Sequence, residues 1–168
     1  MLPIEDFGKE PTNERHLFAL ALERAELNEN LSLATKHFAC LIAWDSEEAN
    51  DEEITVFLRR IIDSGAAYIC SWGKGCEKVH DFADEIDIEM NPDSDNVIMT
   101  TWHSEESLSE AIWFLLNNTW PDTYAEKTLG STLAISVGNS GFAKEIRNAF
   151  SDPIKFNQVI LANDDGAL

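Results

Sequence analysis

Short apolar runs alternate with amphipathic segments along the middle of this chain, and this alternation constrains its fold more than any other feature. The runs over residues 38–44 and 66–72 are continuous and strand-sized, a pattern typical of strands that are covered on both faces. Between them, apolar residues recur at i, i+3, i+4, i+7 and i+8, the stripe of a helix with one buried face: Ile54, Phe57, Leu58, Ile61 and Ile62. Strands and helices in alternation predict a parallel sheet with right-handed crossovers.

The same pattern continues towards the carboxyl terminus. It predicts three further strands, at 96–102, 132–137 and 158–162. It also predicts three further helices, over 75–89, after a cap at Ser104 or Ser107, and over 140–150. The expected fold is a three-layer α/β domain spanning residues 1–168. Its sheet is doubly wound and mostly parallel, with about five strands, and is flavodoxin-like or Rossmann-like.

The two ends of the chain lack this alternation. Residues 1–11 contain Pro3, Gly8 and Pro11 and are expected to form an irregular lead-in. A helix capped by Asn13 is predicted next, because Leu17, Leu20, Ala21 and Ala25 are spaced for one helical face. The polar tail over 163–168 is expected to fray.

Charge limits the classes of partner. The chain has 31 acidic and 12 basic side chains and a formal net charge of -19. A surface this negative repels nucleic acid and anionic membranes, so neither is an expected direct partner, whereas it attracts a basic protein surface. The start of the chain lacks a secretory signal, and the three cysteines lack the paired spacing of a disulfide framework. We therefore expect a cytoplasmic protein.

Candidate ligand-binding residues follow from the rule that ligands bind outside the carboxyl ends of parallel strands. Three predicted strands end in tryptophan, at Trp44-Asp45, Trp72-Gly73 and Trp102-His103. The rings could close the end of the core, or they could form a stacking floor for a ligand. The resulting set of candidates is Trp44, Trp72, Gly73, Gly75, Trp102, Asn139 and Ser140.

Candidate catalytic residues lie in the same region. Asp45, His103, Glu105 and Glu106 could meet there for acid–base chemistry, and Cys76 near a helix start could act as a nucleophile. Cys76, His80 and Asp84 share a helical stripe, but their spacing is too loose to predict a metal site. The glycine turns at 73–75 and 138–141 match no full nucleotide-cofactor motif, so no cofactor is expected.

One stretch of the chain resembles a known family. Residues 72–81, Asp84-Glu85 and 99–103 resemble a group of small bacterial proteins known only as a domain of unknown function. The resemblance covers residues 38–118. It implies a bacterial origin and no activity or ligand.

Two functional hypotheses follow. The first is an acidic cytoplasmic protein-binding module, a regulator, inhibitor or immunity-type partner of a basic protein surface. The alternative is a small enzyme or sensor that binds a nucleotide or nucleoside at the carboxyl ends of the strands.

Overall fold

A six-stranded sheet between two layers of helices accounts for most of residues 2–93 and 95–166, the parts of the chain described by the computed structural model. Its strands are β1 (Glu5–Lys9), β2 (His16–Leu22), β3 (His37–Trp44), β4 (Ala66–Trp72), β5 (Met99–Trp102) and β6 (Leu129–Val137). Its helices are α1 (Asp51–Asp63), α2 (Cys76–Met90), α3 (Leu108–Asn117), α4 (Ser140–Ser151) and α5 (Pro153–Gly166).

The sheet has the order β1-β2-β6-β3-β4-β5 and is mostly parallel. Only the edge strand β1 runs antiparallel, to β2. This confirms the expected three-layer α/β fold of the flavodoxin-like or Rossmann-like kind. The sheet has six strands rather than about five, because the amino-terminal segment adds two and the predicted strand over 158–162 is part of a helix.

Helices cover both faces of the sheet. On one face, α1 and α2 bury Ile54, Ile61 and Val79 against alternate residues of β3 such as Ile42. On the other face, five apolar residues of α3 and α4 pack against the intervening residues of the strands. These helix residues are Ala111, Ile112, Leu115, Ile146 and Phe150. Burial on both faces is the reason that β3 and β4 are continuous apolar runs rather than alternating ones.

A reversal of strand order positions the site. The chain steps outward from β3 to β4 and β5, then crosses back over the opposite face through α3 and inserts β6 between β2 and β3. The connections that leave β3 and β6 therefore run to opposite faces of the sheet. Such a point opens a crevice at the carboxyl ends of the two strands.

The amino-terminal predictions were wrong. Residues 5–9 form β1 instead of an irregular lead-in, and the segment predicted as a helix after Asn13 is the strand β2. The apolar residues of β2 fit a helical stripe as well as a strand. Its parallel pairing along β6, from His16 opposite Ser131 to Leu22 opposite Val137, selects the strand.

The carboxyl-terminal predictions also need correction. Residues 158–162 belong to α5 and form no strand, and the helix continues through residues 163–166, where a frayed tail was expected. Residues 167–168 of that tail lie outside the described residues. The predicted strand over 96–102 is shorter, because only residues 99–102 pair with β4.

Candidate functional site

A cleft of about 530 Å³ lies at the carboxyl edge of the sheet, at the reversal of strand order. The loops after β3, β4 and β5 and the first turn of α4 supply its lining: Asp45, residues 72–77, His103, Ser104, Glu106 and Phe142. Seven of the residues selected from the sequence therefore line one cleft: Asp45, Trp72, Gly73, Gly75, Cys76, His103 and Glu106.

The turn over residues 73–75 is fixed against the end of β3. Gly73 has a φ of 112°, and a Cβ atom there would lie 2.4 Å from the carbonyl oxygen of Trp44. The Lys74 backbone N–H donates to Oδ1 of Asp45 (2.9 Å), and the Ser46 N–H donates to the Lys74 carbonyl (2.7 Å). Glycine is required by both the close approach and the positive φ. Asp45 therefore holds the turn that leads into α2.

His103 is a buried imidazole on the cleft wall. Only 4% of the residue is exposed. Its Nδ1 lies 2.8 Å from the Glu106 carboxylate and its Nε2 lies 2.9 Å from the Thr101 hydroxyl, while the Phe114 ring packs against it at 4.8 Å. Nδ1–H donates to the Glu106 carboxylate, which can only accept, while Nε2 and the Thr101 hydroxyl can exchange donor and acceptor roles. The Glu106 side chain is 42% exposed, so this pair links the buried imidazole ring to the surface.

Cys76, in the first turn of α2, is poorly placed to be a nucleophile. It is buried, and burial raises the pKa of its thiol, although backbone N–H groups of His103, Cys76 and Glu77 act in the opposite direction. The reactive form of cysteine is the thiolate, and a raised pKa keeps the thiol protonated at neutral pH. Its surroundings are those of a small packed side chain.

The three strand-ending tryptophans do not share one surface. Ala43 pairs with Trp72 and Ser71 pairs with Trp102, so Trp44 and Trp102 project towards α1 and α2 and Trp72 projects towards the opposite face. Trp44 is buried against Phe57, and Trp102 packs on His80. A one-residue offset along a strand reverses the face of a side chain. Trp72 is thus the member of the three that lines the cleft.

Trp72 forms one aromatic wall together with Phe142 of α4. The two rings pack edge to face with their centroids 4.9 Å apart. The indole Nε1–H of Trp72 donates to the Glu106 carbonyl (2.8 Å), so it is engaged within the protein. Sequence reasoning missed Phe142. Its position in the sequence could have identified it, because the first turn of the helix after β6 lies at the same edge of the sheet as the other candidates.

The remaining candidates lie beside the cleft without lining it. Asn139 caps α4, since its Oδ1 accepts from the N–H groups of Gly141 (2.9 Å) and Phe142 (3.1 Å). Ser140 and Glu105 are exposed. Asn139 therefore acts on the cleft indirectly, through the helix turn that carries Phe142.

The residues considered for a metal site are divided between two places. His80 contacts Asp81 at 3.0 Å and Asp84 at 3.5 Å, whereas Cys76 lines the cleft. No group of three or more His, Cys, Asp or Glu side chains suited to a metal ion occurs among residues 2–93 and 95–166.

The cleft lining is acidic. Three carboxylates, Asp45, Glu77 and Glu106, face one ammonium group, Lys74, which gives a formal charge of -2 with His103 neutral. Such a lining favours neutral or cationic ligands over phosphates.

Comparison with known proteins places the chain in a family. The model of a domain of unknown function, DUF7684, matches residues 18–153, from β2 to the first residue of α5. The match extends beyond the resemblance over residues 38–118 in both directions. No curated protein and no solved structure matched the chain. Within the described residues, no helix has the length and apolar character needed to span a membrane.

Proposed function

The chain belongs to the DUF7684 family, a domain of unknown function, and we propose from its cleft that it binds a small molecule of the nucleoside type. This proposal depends on one observation: the aromatic wall of Trp72 and Phe142 and the His103–Glu106 pair line the same cleft. The cleft lies where open α/β sheets bind their ligands.

The size and walls of the cleft support this class of ligand. About 530 Å³ falls within the range of small-molecule sites. Trp72 and Phe142 offer an apolar surface for a planar base, and the Asp45 and Glu106 carboxylates are acceptors for sugar hydroxyl groups.

The charge of the cleft selects against phosphate. The lining carries a formal charge of -2 and the whole chain one of -19, so a phosphate group would enter a negative potential. We therefore propose a nucleoside rather than a nucleotide as the ligand.

A thermal-shift titration tests the proposal. Nucleosides are expected to raise the melting temperature in a concentration-dependent way, and their 5′-monophosphates to raise it less. Glu106→Gln removes the charge beside His103 and should weaken binding by about tenfold. Glu105→Gln is the matched control, because Glu105 is exposed and outside the cleft lining.

The outcomes are decisive. A flat titration with all nucleosides, or equal losses in the two glutamine variants, would reject the nucleoside site. Incubation of the bound nucleoside followed by chromatography then separates an enzyme from a sensor. Turnover lost in Glu106→Gln would identify proton transfer by the His103–Glu106 pair as the chemistry.

A second candidate function is the binding of a basic protein surface. It is favoured by the exposed stripe of α2, where carboxylates recur every four residues: Glu77, Asp81, Glu85 and Glu89. Such a stripe speeds association with a basic partner and is screened by salt. Capture of one specific basic partner at low ionic strength, lost at high ionic strength, is the expected result.

We place both functions in the cytoplasm of a bacterium. The free thiols of Cys40, Cys70 and Cys76 are typical of a reducing compartment, and the resemblance noted above suggests the bacterial source.

A further inference from the structure

The two edges of the sheet differ in how they are protected. The β1 edge has an irregular register between Asp6 and Lys9 and carries charged residues, two features that block pairing with another strand. The β5 edge, Met-Thr-Thr-Trp, has no charged residue and pairs in regular register with β4.

The outer side of β5 presents backbone hydrogen-bonding groups. The His103 N–H donates to the Ser71 carbonyl (2.9 Å), which fixes the orientation of alternate residues in this strand. Met99 and Thr101 direct their backbone groups towards β4, because alternate residues of a parallel strand bond to the same neighbour. Thr100 and Trp102 therefore direct their N–H and C=O groups towards the free edge.

Apolar side chains accompany these backbone groups. Met99 is 39% exposed and Trp102 is 45% exposed. Val97, just before the strand, is also exposed. Met99 projects to the α3–α4 face of the sheet and Trp102 to the α1–α2 face, so side chains on both faces of a second strand would cover this apolar edge.

Acidic side chains flank the same edge. The Asp84 carboxylate accepts from the Thr100 hydroxyl (2.5 Å), Asp81 contacts the ring of His80 beneath Trp102, and Glu105 follows the strand. Among the described residues, no Lys or Arg forms a salt bridge with Asp81, Asp84 or Glu105. His80 is the basic side chain that contacts Asp81 and Asp84, so three carboxylates at this edge face one imidazole. The edge therefore combines a surplus of acidic groups with apolar surface.

We propose that β5 is the docking edge for an extended, basic segment of a partner protein, which adds a further strand to the sheet. This inference rests on the second candidate function and names its surface and the chemistry of its partner. Backbone pairing with Thr100 and Trp102 supplies affinity, and Lys or Arg side chains opposite Asp84 and Glu105 supply selectivity. A second copy of the chain is disfavoured as the occupant, because both copies carry a net charge of -19.

The test uses the full chain and a peptide of alternating Lys and Val with blocked ends. An alternating Glu-Val peptide is the charge control. We expect the Lys-Val peptide to bind and to slow amide hydrogen exchange at Thr100 and Trp102, as measured by NMR. The Glu-Val peptide should do neither.

Two lysine variants separate the edge from general electrostatics. Met99→Lys installs a charge at the edge and should weaken peptide binding by about tenfold. Val56→Lys makes the same charge change on α1 at a residue of similar exposure, 37%. It should weaken binding by about twofold at most, since the added charge is distant and screened.

Several results would overturn the inference. Equal weakening by the two variants would show that the peptide responds only to net charge. Slowed exchange at Thr100 and Trp102 without peptide, rising with protein concentration, would assign the edge to a second copy. Binding of the Lys-Val peptide with slowed exchange elsewhere would reject the edge and leave the basic-partner function standing, whereas no binding at low salt would reject both.

Discussion

His103 and Cys76 lie on the same cleft wall, yet their surroundings suit them to different roles. The His103 ring lies 2.8 Å from the Glu106 carboxylate, which reaches solvent, so the pair connects the buried ring to the surface. The Cys76 thiol has a pKa raised by burial and remains protonated. The residue types alone did not separate these roles, since both are common catalytic side chains.

Gly73 provides a test of how the cleft floor is fixed. Gly73→Ala is expected to lower the free energy of unfolding by about 2–4 kcal/mol, because it combines a positive φ with a backbone clash against Trp44. Gly138→Ala is the matched control. Gly138 also has a positive φ (65°), but a Cβ atom there meets nothing within 4 Å. Gly138→Ala should therefore lower the free energy of unfolding by only about 1 kcal/mol. Equal losses in urea denaturation would contradict the close approach.

At the scale of elements, the start of α4 connects capping to the cleft. Asn139 was selected from the sequence as a ligand-binding residue. In the structure its side-chain oxygen accepts hydrogen bonds from two backbone N–H groups of the helix. One of them belongs to Phe142, the aromatic residue that packs on Trp72.

Removal of this cap is expected to have a measurable cost. Asn139→Ala should lower the free energy of unfolding by about 1 kcal/mol, because it leaves two helix N–H groups without their side-chain acceptor. Ser140→Ala, at the next and exposed residue, should change stability by less than about 0.5 kcal/mol. Urea denaturation of both variants checks this. A loss in Ser140→Ala as large as in Asn139→Ala would contradict the assignment of the cap.

The sequence before α5 contains a helix-start pattern, but the apolar run that follows it led to the prediction of a strand. Pro153 begins the helix, a position that proline favours, and the Asp152 carboxylate accepts from the Lys155 N–H (3.1 Å). The apolar run over residues 158–162 suggested a strand instead. In the structure, the partly buried residues of α5 recur at helical spacing, and Phe156 among them packs against the α3–α4 face of the core.

At the scale of the whole molecule, buried thiols and phenols make stability depend on alkaline pH. Burial raises the pKa of Cys70 from 9.0 to about 12 and that of Tyr68 from 10.0 to about 12. Between pH 9 and 12 the unfolded chain therefore binds fewer protons than the folded chain. The free energy of unfolding must fall as pH rises through this window, by up to about 1.4 kcal/mol per pH unit for each such group.

Cys70→Ala tests this dependence. The variant should have a lower free energy of unfolding at pH 7, because it leaves a small cavity, but a shallower decline above pH 9. Ile69→Val is the control, since it also truncates a buried residue of β4 and removes no titrating group. Parallel declines in Cys70→Ala and the parent, measured by urea denaturation across pH, would contradict the raised pKa.

The sequence by itself determined the elements from β3 to α4, because their signals are local. A run buried on both faces, or a stripe repeated every three to four residues, is visible within one segment. The rule for strand ends then located the cleft and seven of its lining residues.

Tertiary structure decided what depends on distant partners. Residues 16–22 become a strand by pairing with β6, more than 100 residues away, and the register of β3, β4 and β5 sends Trp72 to one face and Trp44 and Trp102 to the other. The contact of Trp72 with Phe142, which joins the end of β4 to α4, likewise depends on tertiary packing. The local sequence pattern predicts that a segment is buried. Which strand or helix it packs against is decided by its neighbours in the folded structure.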